Sequence, residues 1–155
     1  ATLTFEAKAD TAQSEYLHVT AQDGTTYAVW LDKSGAGSAP TGVIYAASTY
    51  KGRADISADT TAANVAARVE TALNALTGFT AKITSDDTAA NGTMTLTQVT
   101  GGVVANPASY TENDGGAGGI GVAETTPGTN QNTITSGAID FTVIWRPLSD
   151  DGDLA

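Results

Sequence analysis

Hydrophobic and polar positions alternate with a period of two along most of this chain, and one stretch departs from that rhythm. Between Thr60 and Gly78 the apolar residues Val65, Val69, Leu73 and Leu76 fall on one stripe of a 3.6-residue period, with Ala62, Ala66 and Ala72 beside them. Asp59, Thr60 and Thr61 supply N-capping oxygens, and Gly78 stands where a helix-ending left-handed residue belongs. The pattern predicts an alanine-rich helix over about 60–77, able to lie close to a sheet because alanine lets backbones approach.

The remaining periodic segments read as strands. Leu3 to Ala9 alternates Leu3, Phe5, Ala7 and Ala9 against Thr4, Glu6 and Lys8. Glu15 to Ala21 sets Leu17 and Val19 against Tyr16, His18 and Thr20, and Asp23-Gly24 is a strong hairpin signal leading into Thr25 to Asp32. In that arm Tyr27, Val29 and Leu31 oppose Ala28 and Trp30. Thr41 to Tyr50 reads as a short strand or irregular crossing, and Lys51 to Ile56 as a short strand. After the helix, Phe79 to Ser85 and Thr93 to Val99 form a hairpin whose turn runs from Asp86 to Gly92 and carries the Asn91-Gly92 signal. That reading takes precedence over the formal glycosylation sequon Asn91-Gly92-Thr93.

From Thr100 to Ser136 isolated apolar residues stand among glycine, asparagine and threonine, with the run DGGAGG at 114–119. A connection of this length in a compact domain carries a function or orders against a partner. Assembly contact is preferred to a catalytic lid, because the acids Glu112, Asp114 and Glu124 have no base, nucleophile or ligand cluster around them. The chain then reaches a strong strand, with Ile139, Phe141, Val143 and Trp145 on one face, ended by Pro147. The expected fold is mainly β within the α+β class: a β sandwich or strongly curved antiparallel sheet with one flanking helix. A single domain spans 1–155, with an N-terminal strand or arm, a glycine-rich region at about 100–136 and a loose acidic tail at 149–155.

Composition narrows the chemistry. Seventeen acids against seven bases leave a net charge of −10, which opposes binding to a phosphate backbone. There is no cysteine and a single histidine, so thiolate chemistry and ordinary zinc sites are not expected. No apolar run approaches membrane-spanning length, and no basic-then-apolar signal opens the chain. Alanine, glycine and threonine dominate, so the core is thin per residue; neighbours often complete such a core, although a compact β sandwich can also manage alone.

Candidate sites are few. The run KSGAGSAP at 33–40 resembles a phosphate-binding turn only in glycine content, since Lys33 precedes the glycines and the run leads toward more β residues, not into a helix. His18 has no carboxylate placed by local sequence to orient it, and reads as a surface or rim residue. Asp86-Asp87 and Asp150-Asp151-Asp153 lack the spacing of a calcium loop. No catalytic, cofactor or metal residue is assigned. Trp30, Tyr45, Tyr50, Tyr110 and Trp145 are the candidate interface anchors.

The segments EYLHVTAQDGTTYAVWLDKSGAGSAPTG, KGRADIS, DTTAANVAARVETALNALTGF and TAKITSDD…GTMTLTQVTGG resemble a module of virion proteins of tailed bacteriophages, over roughly residues 15–102. The C-terminal portion ending FTVIWRPLSDDGDLA departs from it. The resemblance implies a non-enzymatic subunit present in many copies in the phage particle and assembled in the host cytoplasm. A capsid decoration (cement) protein on the head shell is the first reading and a tail tube subunit the second. The implied partners are copies of itself and other virion proteins, the major capsid protein or, for a tube, the tail sheath, without membrane or sequence-specific nucleic acid binding. A rival reading is a carbohydrate- or receptor-binding β domain, which needs an open groove bearing Trp30 or several tyrosines with carboxylates nearby.

Overall fold

The computed structural model describes residues 1–88, 91–111 and 118–123. Eight strands and two helices follow in the order β1 (Thr2–Thr4), β2 (Tyr16–Thr20), β3 (Thr26–Asp32), α1 (Val43–Ala47), β4 (Tyr50–Asp55), α2 (Ala62–Asn74), β5 (Ile83–Thr88), β6 (Thr93–Gln98), β7 (Ala108–Tyr110) and β8 (Gly121–Ala123). They form two four-stranded sheets, ordered β5-β6-β1-β8 and β4-β3-β2-β7. The strong strand expected at 139–146 and the acidic tail lie outside the described residues.

This corrects the expected sandwich or strongly curved antiparallel sheet. Both sheets are small and open, and the second is mixed, because β4 runs parallel to β3 from Tyr27↔Tyr50 to Asp32↔Asp55. A parallel neighbour requires a long crossover, and residues 33–49 supply it, with α1 inside the stretch expected to be a strand or irregular crossing. Five helical residues are too few to display a 3.6 period, so α1 left no readable pattern. The alanine-rich helix also does more than flank a sheet. It packs against β3 and β4 of one sheet and β5 and β6 of the other, making it a third partner in the core.

α2 itself follows from its sequence. Thr61 is the N-cap, its hydroxyl accepting from Asn64 N at 3.2 Å. Val65, Val69 and Leu73 are fully buried, and Leu76 packs beside them. Gly78, with φ +73°, follows the helix in the left-handed region. The main core joins this stripe to Leu17 and Val19 of β2, to Tyr27, Val29 and Leu31 of β3, and to Leu3, Ile83, Met94 and Leu96 of the other sheet. Gly52 of β4 lets the helix approach closely, since a Cβ there would stand 3.1 Å from Leu76 and 3.6 Å from the Ala72 carbonyl.

Three boundaries moved. β1, expected as a longer strand or arm, is an inner strand paired with β6 on one side and β8 on the other. β5 begins at Ile83 rather than Phe79; Phe79 is buried in the turn after α2, its amide bonded to Leu76 O at 3.1 Å. Asp86 and Asp87 lie within β5 instead of in the turn, consistent with an edge strand, where charged side chains are tolerated. The Asp23-Gly24 hairpin formed as read, with Gly24 at φ +83° and Thr20 opposite Thr26.

Candidate functional site

The second sheet is covered on both faces. Strand β3 is buried from Tyr27 to Asp32. Its odd-numbered residues enter the main core, and its even-numbered ones face a smaller cluster on the outer side. Strand register builds this outer face in rows. Tyr110, Tyr16, Trp30 and Arg53 stand side by side across β7, β2, β3 and β4, and Ala108, His18, Ala28 and Lys51 form the next row.

Helix α1 lays Tyr45 over the first row. The Tyr45 ring meets Tyr16 edge-on at 5.3 Å, and Tyr110 stacks on Tyr16 at 5.4 Å. The Arg53 guanidinium lies over Trp30 at 5.9 Å. Trp30, Tyr45 and Tyr110 of the anticipated anchors therefore share one cluster, centred on Tyr16, which the sequence reading had placed only on a strand face. Trp30 and Tyr45 are 5% and 7% exposed, so this is a closed aromatic layer rather than an open platform. Tyr50 is elsewhere, stacked on Tyr27 at 5.5 Å against the main core. Trp145 lies outside the described residues.

The glycine-rich loop has a definite occupant. Asp32, at the end of β3, has no exposed surface, and the loop folds over its carboxylate. Oδ1 accepts from Ser34 N at 3.1 Å, Ser34 Oγ at 3.0 Å, Gly35 N at 2.9 Å, Gly37 N at 3.1 Å and Gln13 Nε2 at 3.3 Å. The Arg53 Nη2 atom completes the shell at 2.7 Å from Oδ2 and also donates to Asp55 at 3.0 Å and to the Gly35 carbonyl. Successive backbone N–H groups in such a turn form an anion nest, and here the anion is the chain's own carboxylate. Desolvation pushes the Asp32 carboxyl upward, but hydrogen bonds from Gln13, Gly37, Ser34 and Gly35 outweigh it and hold it below its ordinary value. Gly35, at φ +77°, allows the turn. Asp32 carried no signal in the sequence beyond its place before the glycines.

A second buried carboxylate, Glu15, joins the two sheets. Its Oε1 accepts from Ser109 Oγ at 2.6 Å and from Ile120 N at 3.0 Å, while Gly118 N donates to Ser109 O at 3.0 Å. Gly118 is required there, because a Cβ would stand 1.9 Å from Ser109 Oγ. His18 is half-buried, and burial holds its imidazole below the ordinary 6.5. Asp86 is exposed on β5, and among the described residues no group of three His, Asp or Glu side chains converges to hold a metal ion.

The remaining polar geometry is at strand edges. β4 and β5 are six residues long, and among the described residues no strand pairs with the outer side of either. The other two edges, β7 and β8, are only three residues each. No helix among the described residues is long and apolar enough to cross a membrane. Comparison with protein-family models, curated proteins and solved structures found no match for this chain.

Proposed function

We propose that this chain is a non-enzymatic structural subunit of a tailed-phage particle, acting through repeated contacts with copies of itself and with neighbouring shell proteins. The observation that carries the reading is that two six-residue strand edges, β4 and β5, have no pairing partner among the described residues. Meanwhile the groups suggestive of a ligand site are engaged internally. Asp32 occupies the glycine nest, and Trp30 is buried in the layer that Tyr45 of α1 closes. An open sheet edge recognises another chain through backbone hydrogen bonds, and many such contacts in a closed assembly add up by multivalency.

Capsid decoration is the first reading, with stabilisation of the head shell as the role. The tail tube is the second, favoured by sheets packed with one principal helix and by a net charge of −10 that would face DNA without gripping it. A carbohydrate-binding role needs an open aromatic groove, and the burial of Trp30 weighs against it. Light scattering across a concentration series, with negative-stain imaging of the same samples, tests the proposal. A discrete small oligomer is expected for a decoration subunit, and stacked rings or tubes for the alternative. A strict monomer at every concentration would refute self-assembly.

A further inference from the structure

We infer that the contact between copies is head to tail, with the β4 edge of one molecule adding to the β5 edge of the next; this rests on the assembly reading above and names its interface. Length selects these edges over β7 and β8: among the described residues they run for six residues against three.

Charge selects which edge meets which. β4, YKGRAD, carries Lys51 and Arg53 with one acid, Asp55. β5, ITSDDT, carries Asp86 and Asp87 and no cation. Lys51 and Asp86 are exposed, and the Arg53 side chain is 43% exposed despite its contacts with Asp32 and Asp55. Pairing β5 with its own copy would bring Asp86 and Asp87 against like charges, with no cation on the strand to offset them. Pairing β4 with itself would instead set two cations and one acid against the same set. Like charges across a strand pair destabilise it and opposite charges stabilise it. The mixed pair sets the cations of β4 against the acids of β5 and avoids the acid-on-acid contact of β5 with itself. A contact between two different patches is heterologous, so it closes into a ring or continues as a filament.

The chain has no cysteine, so single cysteines report the contact cleanly. Lys51→Cys and Asp86→Cys would be prepared singly and together, checked for native tryptophan fluorescence, and treated with a short bis-maleimide cross-linker at concentrations where light scattering shows oligomers. Each single variant alone should give no cross-linked dimer, their mixture a dimer, and the double variant a ladder. If Lys51→Cys disturbs folding, because Lys51 Nζ holds the Ala46 and Ser48 carbonyls, Asp55→Cys replaces it. Dimers from either single variant would overturn the head-to-tail assignment in favour of a symmetric contact. Oligomers with no cross-link in the mixture would overturn the edge contact while leaving the assembly reading intact. Monomers in every sample would overturn both.

Discussion

Replacing Asp32 by alanine tests the internal nest most directly. The carboxylate accepts from the N–H groups of Ser34, Gly35 and Gly37 and pairs with Arg53. Hydrogen bonds to a charged group contribute about 1.5–3 kcal/mol each when counted singly. They are not additive, and the loop they hold is close to the surface, so its amides regain water once it opens. The Arg53 side chain is 43% exposed, which discounts the ion pair for solvent screening. We therefore expect Asp32→Ala to destabilise by about 2–4 kcal/mol, with a melting temperature lower by roughly 5–15 °C. Urea denaturation followed by tryptophan fluorescence reads this, with hydrogen exchange on the amides of Gly35 and Gly37 as a local probe. Because folding holds the Asp32 carboxyl below 3.8, its contribution is present above that pH and declines as pH falls through the folded value. The wild type should lose this increment in acid, and Asp32→Ala should not. A variant within about 0.5 kcal/mol of wild type, with loop amides still protected, would refute the nest.

Further outcomes separate other parts of the structure. Gly24→Ala meets nothing within 4 Å and carries only the strain of φ +83°, a loss of about 1 kcal/mol, whereas Gly92→Ala adds a clash 2.4 Å from Ala62 Cβ and should lose clearly more by the same denaturation assay. Leu73→Ala removes a fully buried side chain between the helix and the core and should destabilise by about 2–5 kcal/mol in thermal unfolding. Proton NMR should place the His18 pKa below 6.5. Since the unfolded chain then binds the proton more readily, stability falls as pH drops below 6.5 toward the folded value, and His18→Gln should remove that slope. Asp23, hydrogen-bonded by Lys82 and by the Thr25 amide, should titrate at about 2; its contribution is present above 3.8, lost as pH falls toward 2, and absent in Asp23→Asn.

What the sequence by itself determined was local. The α2 stripe of Val65, Val69 and Leu73 and the hairpin at Asp23-Gly24 both arise from residues within one or two turns of each other, so periodicity and turn chemistry sufficed. The alternation from Thr25 to Asp32 likewise announced a strand, but its burial on both faces is a product of the two clusters that tertiary structure packs against it. Tertiary structure alone decided the direction of β4, since a parallel pairing depends on where residues 33–49 cross, not on the alternation within the strand. It also decided that α2 would pack on two sheets instead of flanking one, and that Trp30, Tyr45 and Tyr110 would gather on Tyr16 while Tyr50 went to the opposite face. Asp32 shows the limit most plainly. In sequence it is a polar residue at the end of a strand; only the return of the loop excludes water from its carboxylate and turns it into the anion around which that loop is built.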